Sequence, residues 1–105
     1  MAYLPKRMYQ GQLTTTLTTT LATTTTSKQW VVTDIEICNT DSSAHTVTLA
    51  MPGSGAGNRI FSALSVAANA SYQWSGRIVL ESTETITGGA DAGALVTVTI
   101  SGAEG

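Results

Sequence analysis

The sequence predicts an all-β fold, a single antiparallel β-sandwich of about eight short strands, and three observations predict it. Apolar residues recur at alternate positions in run after run, the period of a half-buried strand. Turn-forming clusters such as NTDSS, PGSGAGN and GGADAG separate those runs at intervals of roughly eight to twelve residues. Helix formers are scarce: Lys6 and Lys28 are the only lysines, and threonine occurs nineteen times in 105 residues. Threonine is stiff at χ1 and competes for backbone hydrogen bonds, so it disfavours helix.

The elements follow in chain order. LTTTLTTTLATTTT (13–26) repeats leucine every four residues, which superficially suits a helix. So many threonines make that helix unfavourable, whereas as a strand Leu13, Leu17 and Leu21 share one face with Thr15 and Thr19. A strand is therefore expected over 11–21, with Thr23 to Thr26 as loop. QWVVTDIEIC (29–38) alternates Val31, Thr33, Ile35 and Ile37 against Trp30, Val32, Asp34 and Glu36. AHTVTLAM (44–51) turns His45, Val47, Leu49 and Met51 inward. The five residues between these runs predict an antiparallel hairpin.

PGSGAGN (52–58) reads as a loop at a hairpin tip. IFSALSV (60–66) sets Ile60, Ser62, Leu64 and Val66 on one face, AAN breaks it, and SYQW (71–74) is a further short strand. GRIVLE (76–81), TETIT (83–87) and LVTVTIS (95–101) follow, with GGADAG as punctuation. The expected core is Ile35, Ile37, Val47, Leu49, Leu64, Ile78, Leu80, Ile86, Val96, Val98 and Ile100. Strand count leaves two topologies open, jelly-roll and immunoglobulin-like. The expected organisation is an extended N-terminal attachment arm, residues 1–10, ahead of one sandwich domain, residues 11–105.

Only 11% of residues are charged, against roughly a quarter in an average domain. The surface is thus Thr/Ser/Asn/Gln-rich, which suits a chain placed in an assembly. A formal charge of −2 leaves no overall basic balance for nucleic acid, and no nucleic-acid partner is expected. No apolar stretch approaches the roughly 20 residues of a membrane-spanning helix, and MAYLPKRMYQ lacks the apolar core of a secretory leader. A lean core with Thr-rich strand faces favours a homo-oligomer, a trimer being the working guess.

Candidate chemistry is sparse. Cys38 is the one cysteine and reads as a small buried hydrophobe. His45 has no partner that the sequence places beside it, so a half-buried structural role is expected rather than general-base catalysis. Asp34 and Glu36 share a strand face and read as an exposed polar surface or as salt-bridge partners of Arg59 or Arg77. PGSGAGNR lacks the helix and the Lys-Ser/Thr pair of a phosphate-binding loop. No catalytic residue, metal site or cofactor is expected. The segment with most to offer is AYLPKRMYQ, where Tyr3, Leu4, Met8 and Tyr9 interleave with Lys6 and Arg7. Tyr, Met and Arg are enriched at interfaces, so these six residues are the expected partner-binding set. Tyr72 and Trp74, on one face of their strand, form a possible second contact patch, although Trp74 serves equally well as core.

The openings AYLPKRMYQGQL, the CNTDSSAHTVTL turn-strand unit, the SVAANAS break and the VTVTISGAE terminus together resemble small β-sandwich virion proteins of tailed bacteriophages. The likeness extends over the whole chain and departs at LTTTLATTTT. The resemblance implies a structural component of the virion, made in the host cytoplasm and present in many symmetric copies. Capsid decoration ranks first, with the major capsid protein or another virion protein as partner. Tail or neck accessory roles, and a receptor- or carbohydrate-binding module, are the alternatives.

Overall fold

The computed structural model describes residues 3–105, so Met1 and Ala2 of the expected arm lie outside the described residues. Eight strands form two four-stranded antiparallel sheets. The first sheet orders β1 (Leu4–Gln12), β8 (Val96–Glu104), β3 (Trp30–Asn39) and β6 (Ser71–Leu80). The second orders β2 (Thr20–Thr23), β7 (Thr85–Ala90), β4 (His45–Ala50) and β5 (Arg59–Val66). Strands counted from the two chain ends pair inward: β1 with β8, β2 with β7, β3 with β6, β4 with β5. This nesting is a jelly roll. An immunoglobulin-like sandwich keeps its first two strands in one sheet; here β1 and β2 lie in opposite sheets.

Between the sheets sit Val32, Ile35, Ile37, Val47, Leu49, Leu80, Ile86, Val96, Val98 and Ile100, all fully buried. Nine of the eleven expected core residues are in that set, and Leu64 and Ile78 pack against it half-buried. Burying an aliphatic side chain of this kind contributes about 1.5–3 kcal/mol. These residues therefore supply most of the drive for sheet-on-sheet packing.

Five expectations are corrected. The strand over 11–21 is not formed. β1 ends at Gln12, residues 13–19 are irregular, and β2 begins at Thr20. Leu13 is buried in the core while Leu17 is 41% exposed, because the tract carries the chain from one sheet to the other instead of lying along either. The 29–38/44–51 hairpin is not formed either: β3 pairs with β6 and β8, and β4 with β5 and β7. Residues 40–44 cross between sheets. The buried Asn39 side chain enforces the crossing, its amide donating to the carbonyls of Ser43, Val66 and Ala67.

SYQW and GRIVLE are one continuous strand, β6. Gly88 and Gly89, expected as loop, lie inside β7 and are buried. Their role is close approach. A Cβ on Gly89 would sit 2.6 Å from the Thr16 carbonyl oxygen and 2.8 Å from that of Thr14. The crossing tract lies against β7 there, and Gly88 N–H and Ala90 N–H donate to the Thr19 and Thr14 carbonyls at 3.0 and 2.8 Å.

The last departure is face alternation. In β3, Trp30 and Val32 point inward, then Ile35 and Ile37 do, because Thr33 has no partner in β8. The expected grouping of Val31 and Thr33 with Ile35 is therefore wrong. In β1, Met8 likewise has no partner in β8. In β5, Ala63 takes a left-handed φ of 53°, and Phe61 is buried in place of Ile60. Each is a β-bulge, which adds a residue and bends its strand.

Candidate functional site

The expected N-terminal arm is a strand in this structure. Residues 4–12 pair with β8 from Leu4↔Glu104 to Gln12↔Thr97, so the attachment residues are fixed on a sheet edge. Strand alternation sorts them into two sets. Tyr3, Pro5 and Arg7 face outward and line depressions on the outer face of the first sheet. Met8 is buried in the core and Tyr9 packs against it. Lys6 lies between the two sets, and Leu4 is 68% exposed at the sandwich edge.

Lys6 belongs to a clamp at that end of the molecule. Its Nζ lies 3.9 Å from Glu104 Oε2 and 5.7 Å from the centre of the Trp30 ring. The same Glu104 oxygen accepts from the Thr25 hydroxyl at 2.6 Å and from Trp30 Nε1–H at 2.8 Å. The Thr25 hydroxyl above all, and then the indole N–H, hold the Glu104 carboxyl below its ordinary range. Strands β1, β8 and β3 and the β2–β3 loop are thereby tied together. The Tyr3 hydroxyl donates to Gln29 Oε1 at 2.8 Å, and its ring lies over Gly105.

The bulges build the site. Met8 in β1 and Thr33 in β3 are extra residues beside the same stretch of β8, Ile100–Gly102, and Gly76 and Arg77 of β6 together face Thr33. The row fans out around β8 and leaves a depression of about 350 Å³ lined by Pro5, Arg7, Thr33, Asp34 and Ser101. Gly102 is required at its floor, since a Cβ there would drive into the Val31 carbonyl. A second, more apolar depression of about 400 Å³ adjoins it, lined by Tyr3, Val31, Thr33, Arg77, Val79 and Ala103. Tyr3 is 43% exposed and Val79 48%. The outer face thus offers an apolar floor beside Arg7, Arg77 and Asp34, an arrangement suited to docking a complementary surface.

The outer face of the second sheet is partly covered by its own loops. The Thr14–Thr16 backbone lies over Gly89, and the Gly53 carbonyl accepts from the Thr87 hydroxyl at 3.0 Å. Residues from two loops thus lie over β7.

Other singled-out residues take structural positions. His45 Nε2 lies 2.7 Å from Asp41 Oδ2 and Nδ1 2.9 Å from Asp91 Oδ1. Hydrogen bonding to Asp41 chiefly, with Asp91 adding, raises the imidazole pKa, and His45 in turn lowers that of Asp41. With both ring nitrogens committed to carboxylates, neither is free to take a substrate proton. Tyr72 is 38% exposed, and its ring stands at 84° to that of Phe61 with centroids 5.6 Å apart. Trp74 packs half-buried against the core.

Asp34 and Glu36 are both exposed, and among the described residues neither is ion-paired with Arg59 or Arg77. Asp34 accepts from the Thr33 hydroxyl at 2.9 Å. Cys38 is half-buried, not fully buried as expected, because it follows the inward Ile37 and so alternates to the outer face. Among the described residues no group of three His, Cys, Asp or Glu side chains is placed to hold a metal ion. No helix among them is long and apolar enough to cross a membrane.

Val79 and Ala103 were not singled out in the sequence, Val31 was grouped with the inward residues, and Arg77 was named only as a salt-bridge partner. The available signal was surplus apolarity: WVV and RIVL carry apolar residues at consecutive positions, where a half-buried strand needs them only at alternate ones. The fold and this face define an eight-stranded jelly roll with one bare, partly apolar sheet surface. Comparison with known proteins finds no matching family model and no matching curated protein.

Proposed function

We propose that this chain is a non-enzymatic structural protein of a bacteriophage particle, a capsid decoration protein that attaches by the outer face of its β1-β8-β3-β6 sheet and stabilises the shell. The observation that carries this reading is the asymmetry between faces: one sheet is bare, with Tyr3, Val31, Val79 and Ala103 beside Arg7 and Asp34, while loop residues lie over β7 on the other. The jelly roll is an architecture used by capsid domains, lectins and cupins alike. Its interior here is filled with fully buried aliphatic side chains, so the surface is where function resides.

The virion assignment rests on the likeness of the sequence to phage sandwich proteins. The docking face gives it physical content. The major capsid protein is the proposed partner: a rigid sandwich held flat across a junction between capsid subunits adds buried interface and opposes outward pressure. A glycan-binding role is less favoured, because Trp74 packs half-buried against the core and Tyr72 is engaged edge-to-face with Phe61, which leaves no pair of open rings for a sugar.

Purified particles and capsid co-sedimentation test the proposal together. The chain is expected in particles by mass spectrometry, and added protein is expected to bind undecorated shells. Val79→Asp places a charge on the apolar floor without touching the core and is expected to weaken binding about tenfold or more. Tyr72→Ala, on another side, should leave it unchanged. A chain confined to the lysate, or a Val79→Asp protein that decorates as well as wild type, overturns the reading.

A further inference from the structure

The sandwich has four strand edges, and three are blocked. β1 carries Pro5, the bulged Met8 and the charges of Lys6 and Arg7, features that obstruct strand addition. β2 is four residues long, and the 13–19 tract continues its edge only by looping over the sheet. β5 turns left-handed at Ala63, whose N–H is taken by the Thr48 hydroxyl at 3.1 Å. β6 differs from all of these. It is ten residues long, contains no proline and has a single charge, Arg77. It has one extra residue where Gly76 and Arg77 together face Thr33, but its inward alternation continues across that point, with Tyr72, Trp74, Ile78 and Leu80 set opposite the inward residues of β3. Among the described residues, no hydrogen bond outside the β3 ladder engages residues 71–80.

We propose that β6 pairs antiparallel with β6 of a second copy of this chain, about a twofold axis at Gly76, to make one continuous sheet across a dimer. A twofold axis normal to the sheet keeps outer faces on the same side. Residues opposite one another must then share a face, so the axis passes through a residue. With Gly76 on the axis, Trp74 comes opposite Ile78 of the second copy and Tyr72 opposite its Leu80. These are aromatic–aliphatic cross-strand pairs on the inner side.

On the outer side Arg77 comes opposite Ser75 of the second copy, and Ser75 neighbours Asp34 within its own sheet. The guanidinium spans the small serine to reach that carboxylate. Asp34 and Arg77 are both exposed, and neither has an ion-pair partner among the described residues. Symmetry makes the Arg77–Asp34 pair twice. Charge also selects this occupant over the other long edge: pairing β6 with β1 would bring Arg77 toward Lys6 and Arg7 and would leave a head-to-tail contact that does not close. The proposal does not depend on the virion reading and is tested without particles.

Sedimentation equilibrium of the full chain, taken to about 1 mM, reads the dimer directly. Wild type is expected to be dimeric. Arg77→Glu is expected to weaken association about tenfold or more by setting two carboxylates against each other. The double variant Asp34→Arg/Arg77→Glu is expected to restore it to within a few-fold of wild type. Circular dichroism establishes that each variant is folded. Amide exchange gives an independent readout: protection in β6 rises with wild-type concentration and stays flat in Arg77→Glu. A monomer throughout the range overturns the proposal. So does a trimer, an undiminished Arg77→Glu dimer, or a charge-reversed pair that fails to recover.

Discussion

At the scale of single residues, Asn39 does most to hold the crossing between sheets. It is fully buried, and its two amide hydrogens serve three carbonyls at 2.9, 3.1 and 3.2 Å, while its Oδ1 accepts the Asp41 N–H at 3.0 Å. Asn39→Leu is expected to cost about 2–4 kcal/mol, because the carbonyls of Ser43, Val66 and Ala67 lose their donor away from water. Asn39→Asp keeps the shape and removes only the donors, so it separates hydrogen bonding from packing. A urea midpoint unchanged in both variants would refute this account. The NTDSS cluster announced a turn in the sequence, but not that its first residue reaches carbonyls of the β5–β6 turn. His45, close by, makes stability depend on pH. Its folded pKa lies above the value of about 6.5 expected in an unfolded chain, so its contribution is complete below that value and lost as pH rises through the folded pKa. Asp41 is shifted the other way and loses its contribution as pH falls through its lowered folded pKa. The urea midpoint is therefore expected to fall in wild type as pH rises above about 6.5 and through the raised folded pKa of His45. In His45→Asn that fall should be absent, and an identical profile in the two proteins would remove the clamp from the account.

At the scale of elements, the threonine tract and the glycine pair explain each other. The tract's low helix propensity was legible, and helix is indeed absent. Its strand reading failed because residues 13–19 are held by β7, at Gly88 and Ala90, while they pass between sheets. GGADAG read as loop for the complementary reason: local propensity treats glycine as a turn residue, whereas Gly89 is needed so that Thr14 and Thr16 can lie against it. Gly89→Val is accordingly expected to destabilise by about 1–3 kcal/mol and to open residues 13–19 to proteolysis. Gly57→Val, where an added Cβ meets nothing within 4 Å, is the control and should be close to neutral. Equal effects at both positions would count against the close-approach argument. The bulges at Met8 and Thr33 were illegible for a different reason. Val31 and Val32 are equally apolar, and only the register against β8 decides which one faces the core. The same fact hid the docking face, since the surplus valines of β3 and β6 become a surface only once the bulges set the register.

At the scale of the whole molecule, alternation was enough to place the sandwich and most of its core, but not its pairing. The nearest apolar run is the natural partner on a local reading, and the jelly roll instead joins β3 to β6 and β1 to β8. Nested pairing has a kinetic consequence. The β4–β5 pair is the most local, with His45 opposite Val66, whereas the β1–β8 pair joins Leu4 to Glu104. Closing a loop costs more as the loop lengthens, and a nested pair shortens the effective loop of the next one outward. Folding is expected to proceed from the innermost pair, on the millisecond-to-second scale of sandwiches dominated by non-local contacts. Val47, fully buried and paired with Leu64 inside that nucleus, should then report on the folding rate: Val47→Ala slows refolding and scarcely changes unfolding. Met8, buried within the outermost pair and so among the last to dock, should report on the other limb, so that Met8→Ala leaves refolding alone and speeds unfolding. Stopped-flow chevrons of the two variants decide the order. If Met8→Ala slows refolding as much as Val47→Ala does, the outer pair is already formed at the barrier, and the chain does not roll up from its centre.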